Sequence, residues 1–217
     1  LYPPLDGIIS FGPFAAWQLR KCLSDEAQSV VAVNAMGHAK TRSWKARIGG
    51  AFLNWSKSRV VAPCEAERRR LTDLGVKPEK ISVIPNPIDT TSVLEAAACA
   101  RRIGRHSLLA SLGLDPTRFV VAHLASLQPR KQHEWVLEAA AKALSSGLRL
   151  QVAVAGDGEH GQVLKALAVR LGVEESVEFL GRLDNHAAIQ LMVAADGIVH
   201  CSRKETFGYS MVEPVLL

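Results

Sequence analysis

An α/β chain of parallel, doubly wound sheets follows from the order of its apolar runs. Short strand-like runs alternate with amphipathic helical stretches almost throughout, and such alternation implies parallel pairing through right-handed crossovers. The pattern also repeats: Leu74-Gly75-Val76 followed by an apolar run at residues 81–84 is echoed by Leu171-Gly172-Val173 followed by residues 177–180. Two similar domains in tandem would give this echo. Between them Pro85-Asn86-Pro87 interrupts the chain, because flanking prolines restrict the backbone and bar it from a central strand. The expected domains are therefore residues 1–87 and 88–217.

In the first part, residues 7–10, 30–33 and 58–62 have the character of strands, and residues 15–22 and 43–56 that of helices. Cys64-Glu65-Ala66-Glu67 opens a helix running to Leu74, with Gly75 at the usual stop. Residues 81–84 are the next strand. Past the prolines, residues 92–113 are Ala-rich and helical, with Arg101, Arg102, Arg105 and His106 as a solvated basic face. Strands at 119–124, 148–155, 177–180 and 198–201 then alternate with helices at 134–144, 162–171 and 186–194. A last helix opens near Gly208.

The 217 residues are 48% hydrophobic, enough for an ordinary soluble core. No apolar run approaches the roughly 20 residues of a membrane span. The chain begins without Met or a signal-peptide pattern and stops within a helical pattern, so it is expected to be a piece of a longer protein. Cys22, Cys64, Cys99 and Cys201 are widely separated, with no paired or metal-ligand spacing. Neither a metal site nor a disulfide framework is expected, Cys201 is expected to be a buried small hydrophobe, and the setting is a reducing cytoplasm.

The net charge of +5 is unevenly spread, with no acidic residue between Glu26 and Glu65. There Trp44, Ile48, Ala51, Phe52 and Trp55 recur at helical spacing among basic residues. Two readings stand: a helix docked on its own domain, or one that also touches an anionic membrane surface. Nucleic acid is not expected as a partner, since no recognition motif or stacking platform is present.

Chemistry concentrates near the end of the chain. In Ser202-Arg203-Lys204-Glu205-Thr206-Phe207-Gly208-Tyr209-Ser210-Met211-Val212-Glu213 two carboxylates stand either side of a small-residue turn. Glu205 would lie in the loop at a strand's carboxyl end, where open α/β sheets bind ligands. Glu213 would sit on the second turn of the following helix, whose start favours an anion. The outline is a sugar-phosphate pocket.

This motif resembles the Glu-x7-Glu signature of the retaining nucleotide-sugar glycosyltransferases of family four, which have the GT-B fold. Four further segments fall in that family's order: Val83-Ile84-Pro85-Asn86-Pro87-Ile88-Asp89, Ala125-Ser126-Leu127-Gln128-Pro129-Arg130-Lys131, Ala155-Gly156-Asp157-Gly158 and Val177-Glu178-Phe179-Leu180-Gly181. The resemblance implies two Rossmann-like domains facing a cleft, both truncated here. Residues 1–87 would be the back part of the acceptor domain and 88–217 most of the donor domain.

By the same resemblance, Lys131 contacts the donor diphosphate, where negative charge builds as the glycosidic bond breaks; Arg130 beside it offers a guanidinium fork to the same group. Glu213 holds the ribose hydroxyls and Glu205 the transferred sugar, while Phe207 and Gly208 offer backbone N–H groups. Gly156, Gly158 and Gly181 border the nucleotide base, although the turn around Asp157 is by itself an ordinary tight turn. The chain departs from the family at Ser126, where an arginine is frequent, and at Asn34, where a histidine is often found; His38, four residues on, is either within reach of the cleft or an exposed loop histidine.

The implied reaction moves a sugar from a nucleoside diphosphate sugar to an acceptor hydroxyl with retention, without a bound cofactor or metal. The acceptor would be a glycan, a lipid-linked molecule or a small molecule, and the enzyme cytoplasmic or peripheral to the inner face of a membrane. This chain alone would be a poor catalyst. The rival readings are a non-catalytic nucleotide-binding module and another GT-B enzyme such as a sugar-nucleotide epimerase; a phosphorylase would need a pyridoxal-binding lysine for which no context is visible.

Overall fold

The computed structural model describes residues 5–11, 23–32, 51, 53–55, 59–203 and 208–217. They fall in two compact units, Leu1–Pro87 and Ile88–Leu217. In the first, β1 (Leu5–Phe11), β2 (Leu23–Ala32), β3 (Arg59–Ala62) and β4 (Ile81–Val83) form a parallel sheet in that order. β2 starts well before the apolar run at 30–33. Its early residues Ser24, Asp25 and Glu26 carry no apolar signal, and the regular ladder with β1 begins only at the Gly7–Gln28 pair. The helix expected at 15–22 lies outside the described residues, as do Asn34 and His38.

Helix α1 (Glu65–Asp73) ends where Gly75 takes φ 88° and Val76 N–H returns to Leu71 C=O at 3.0 Å. Leu53, Val60, Ala62, Leu71, Val76 and Ile81 make the core of this unit. Residues 53–55 are helical, and they dock through Leu53, which is fully buried, while Trp55 is 68% exposed and Ala51 is exposed. The docking face is therefore not the stripe through Ala51 and Trp55. Trp44, Ile48 and Phe52 lie outside the described residues. Asn54 fixes the contact, donating from Nδ2 to Gly75 C=O at 2.6 Å and accepting from Lys77 N–H at 2.8 Å.

The second unit opens with α2 (Thr90–Ile103) and α3 (Arg105–Ser111). The single helix expected over 92–113 is broken at Gly104, which takes φ 87°. Nor is Arg105 merely solvated: it pairs with Asp196 at 2.5 Å and donates to the carbonyls of Pro116 and Arg118. Arg101 reaches the Leu217 carbonyl. The strands β5 (Phe119–Leu124), β6 (Leu150–Ala155), β7 (Val177–Gly181) and the short β8 (Gly197–Ile198) are parallel, in the order β7-β6-β5-β8.

That order decides which face each helix covers. Helices α4 (His133–Ser145) and α5 (Gly161–Leu171) connect β5 to β6 to β7 in one direction, while α6 (Asn185–Ala194) returns past β5 to β8. With right-handed crossovers, reversing direction moves the connection to the opposite face. Accordingly Val136, Leu137, Leu164 and Leu167 pack with Val152 and Val154 of β6, whereas Leu109, Leu191 and Met192 pack with Ala153 and Ala155. The alternation along β6 divides two cores, because successive side chains of a strand point to opposite faces. Helix α7 (Tyr209–Leu216) closes the described chain.

Candidate functional site

The reversal of strand order lies between β5 and β8. A crevice forms at the carboxyl ends of strands where connections diverge to opposite faces. Two loops meet at this one. Residues 125–132 follow β5, and residues 199–208 follow β8, of which 204–207, including Glu205 and Phe207, lie outside the described residues. Val199 N–H donates to Ala122 C=O at 2.9 Å, and farther out Arg203 N–H donates to Arg130 C=O at 3.0 Å. The segment that leads to Glu205 is thereby tied to the loop that holds Arg130 and Lys131.

Lys131 ends a 3₁₀ turn, Pro129–Lys131, with its N–H on Gln128 C=O at 2.9 Å. Only 8% of it is exposed, so its ammonium sits where an anion gains more than it would in water. Arg130 is exposed and donates from Nε to Gln128 Oε1 at 2.8 Å. Gln132 joins the turn to α4 in the left-handed region at φ 55°. Ser126 is half-buried, and its carbonyl accepts from Gln128 N–H at 2.8 Å.

Gly156 and Gly158 support this loop from behind. Their φ values are 149° and 157°, and a Cβ on either would collide with the carbonyl of Ala125 or Leu127. Backbone bonds close the contact: Ala125 N–H to Ala155 C=O at 3.0 Å, Leu127 N–H to Asp157 C=O at 2.9 Å and His160 N–H to Leu127 C=O at 3.1 Å. Gly181, at φ 68°, accepts from Gly156 N–H at 2.7 Å. Asp157 serves the turn itself, its Oδ1 accepting from Gly158 N–H at 2.7 Å.

Gly208 precedes α7 at φ 76°, and its carbonyl accepts from Met211 and Val212 N–H at 2.8 and 3.1 Å. Glu213 lies half-buried on the second turn, where burial pushes its carboxyl above the usual range. A partly dehydrated carboxylate is receptive to hydroxyl donors. Ser210 Oγ, on the first turn of the same helix, stands 3.3 Å from His200 Nδ1.

Histidines form the part of this end that motif and spacing did not mark. His123 on β5 and His133 at the start of α4 are 0% and 1% exposed, with ring centroids 4.5 Å apart and planes at 76°. His160 Nε2 lies 2.6 Å from Glu134 Oε1. The sequence signal available was slight, a histidine two positions after Lys131 and another inside an apolar strand. No group of three or more His, Cys, Asp or Glu among the described residues is placed to hold a metal ion. Cys201 packs on the α4–α5 core, where burial pushes its thiol up. A cavity of about 450 Å³ lined by Phe119, Val121, Trp135, Ala140, Leu148 and Cys201 is almost wholly apolar and offers a diphosphate no cluster of donors.

Comparison with known proteins bears on both units. Residues 105–216 match the family described as glycosyl transferases group 1, and residues 5–92 match Glycosyltransferase Family 4. The D-inositol 3-phosphate glycosyltransferase of Segniliparus rotundus is 30% identical over 171 residues, covering 76% of this chain and 36% of that protein. The alpha-monoglucosyldiacylglycerol synthase of Streptococcus pneumoniae is 29% identical over 154 residues, covering 71% of this chain and 34% of that protein. The chain thus spans about a third of the length of these relatives. Among solved structures, HepE of Anabaena in complex with UDP-glucose has a TM-score of 0.68 at 24% identity, covering 94% of this chain and 53% of that one. The fold is that of the GT-B glycosyltransferases.

Proposed function

The chain belongs to the group 1 glycosyl transferases, and on that premise we propose that its second unit holds the nucleoside diphosphate of a sugar donor. The whole protein moves that sugar to an acceptor hydroxyl with retention at the anomeric carbon. The bond from the anomeric carbon to the donor phosphate breaks with its electron pair on the phosphate oxygen. The acceptor oxygen forms the new bond, and its proton passes to the leaving phosphate oxygen. Lys131, with Arg130 beside it, neutralises the leaving diphosphate; Glu213 accepts from the ribose hydroxyls and Glu205 from those of the sugar. Phe207 and Gly208 supply N–H groups, and Gly156, Gly158 and Gly181 shape the side facing the base. The observation that carries this reading is the Arg203-to-Arg130 bond at the β5–β8 reversal, which ties the lysine loop to the chain just before the acidic motif.

The relatives' names cover an inositol phosphate and a glucosylated diacylglycerol, so the acceptor class extends over small-molecule, lipid-linked and glycan hydroxyls. Exposed Trp55 within the acid-free stretch supports a peripheral contact with an anionic membrane face, on the cytoplasmic side. No helix among the described residues is long and apolar enough to cross a membrane.

UDP is the probe, because HepE was solved with UDP-glucose. Calorimetry on the whole chain should show binding that Lys131→Ala and Glu213→Ala each weaken. Removing a hydrogen bond to a charged group is worth about 1.5–3 kcal/mol. Folded variants that keep the parent affinity would remove Lys131 and Glu213 from the site.

A further inference from the structure

We propose that the edge-to-face contact of His123 and His133 is a clasp that positions the Lys131 loop for the donor diphosphate; the inference rests on the donor reading given above. The two histidines bracket residues 124–132, the stretch that contains Ser126, Arg130 and Lys131. One sits on β5 and the other opens α4, so their contact closes the loop at its base. The rings are buried, with centroids 4.5 Å apart.

His123 also reaches sideways. Its Nδ1 lies 2.7 Å from the Val199 carbonyl, and a carbonyl only accepts, so Nδ1 carries the hydrogen and Nε2 is bare. The chain beyond Val199 runs to Arg203, whose N–H holds the Arg130 carbonyl. One ring is therefore fixed to both loops of the site. A phenylalanine or leucine would fill the same volume but would leave the Val199 carbonyl without this donor.

Burial explains why the clasp works as a neutral pair. It lowers His123, with Lys131 and His200 pushing the same way against the Val199 and Lys131 carbonyls. It holds His133 down at about 4, with His123 and His160 in the same direction and the Ala125 carbonyl and Glu134 opposed. Neither ring nitrogen of His133 makes a well-formed hydrogen bond among the described residues. A buried polar ring so poorly satisfied calls for an explanation, and a place at the hinge of an anion-binding loop provides one. Placing a proton on either ring would put a second positive charge beside Lys131.

The test is UDP titration of the whole chain by calorimetry. His133→Ala should weaken UDP roughly tenfold, since a binding group is only as well placed as the residues behind it. His133→Phe keeps an edge-to-face ring that takes no proton, so it should restore the affinity at about pH 7 and outlast the parent in acid. The ratio of the two affinities cancels the ionisation of UDP itself, and it should change by about twofold or more toward pH 4, where His133 is half protonated. Lys131→Ala runs alongside. If it weakens UDP while folded His133→Ala binds like the parent, the clasp is wrong and the donor reading stands. If Lys131→Ala also changes nothing, the donor reading fails and the clasp with it. Should His133→Ala not fold, a flat parent-to-His133→Phe ratio across the same pH range overturns the proposal.

Discussion

The two ends of β5 are held in opposite ways. At its start, Val120 N–H donates to Asp196 Oδ2 at 2.7 Å and Asp196 N–H returns to Val120 C=O at 2.8 Å. Arg105 donates to the same carboxylate and to two nearby carbonyls, and Asp115 N–H reaches Gln151 Oε1 at 2.8 Å. Donors and acceptors are matched there apart from Arg105 Nε, which is buried without a well-formed hydrogen bond among the described residues. At the other end, His123 Nε2, both nitrogens of His133 and Glu134 Oε2 are buried without a well-formed hydrogen bond among the described residues, and Lys131 is buried beside them. Closed networks add stability, whereas polar groups held in reserve are found where a structure gives up some stability for function. The contrast points to the carboxyl end as the working end, independently of any motif.

The sharpest way to break that contrast is to disturb the support of the working end alone. Gly156→Ala introduces a Cβ into the Ala125 carbonyl at a φ that L residues rarely adopt. Backbone has no rotamer by which to yield, so the expected loss is about 3 kcal/mol or more. Urea unfolding followed by circular dichroism measures it. A stable Gly156→Ala chain with unchanged UDP affinity would mean that the β6–α5 loop does not brace the lysine loop.

Acid should find the same end first. His133 has a folded value of about 4, well below the ordinary histidine range. As pH falls from about 6.5 toward 4, the unfolded chain takes up a proton that the folded ring refuses, so stability is present above that window and is lost through it. Lowered His123 adds in the same direction, while Glu213, raised by burial, works the other way. The net loss from His133 is on the order of 2 kcal/mol, and His133→Phe should abolish about that much of the acid dependence. Identical pH profiles for parent and His133→Phe chains in urea unfolding would show that this ring is not held neutral by its surroundings.

Much of the scaffold was legible because its signals are local. The strand expected at 119–124 coincides with β5, and the helix stops at Gly75 and Gly172 are both left-handed. Lys131 after β5 and Glu213 in the second turn of α7 follow from where the apolar runs end. What was hidden depends on partners distant in sequence. Arg105 looks like one more basic residue until Asp196 arrives from the far side of β5. Gly156 marks a turn by itself, but only the neighbouring Ala125 carbonyl explains why no side chain fits. The histidine pair has no period or motif, since its meaning lies in a contact across the base of a loop. The early start of β2 escaped for a related reason: backbone pairing with β1, not apolar burial, defines it.

The smallest expected effect belongs to the other end of β5. Arg105→Ala removes one partner of a half-exposed pair together with its bonds to the Pro116 and Arg118 carbonyls. Solvent screens the charge and can replace part of the bonding, so the loss should be about 1–2 kcal/mol. Asp196 keeps Val120 N–H as a donor, which limits the damage. The informative feature is what should stay constant: UDP affinity, because the substitution lies at the opposite end of the strand from Lys131. Arg105→Lys should recover only part of the stability, since a single ammonium cannot serve the carboxylate and two carbonyls as the guanidinium fork does. If Arg105→Ala weakens UDP as much as Lys131→Ala while the chain remains folded, the two ends of β5 are coupled, and their separation into a stabilising end and a working end is wrong.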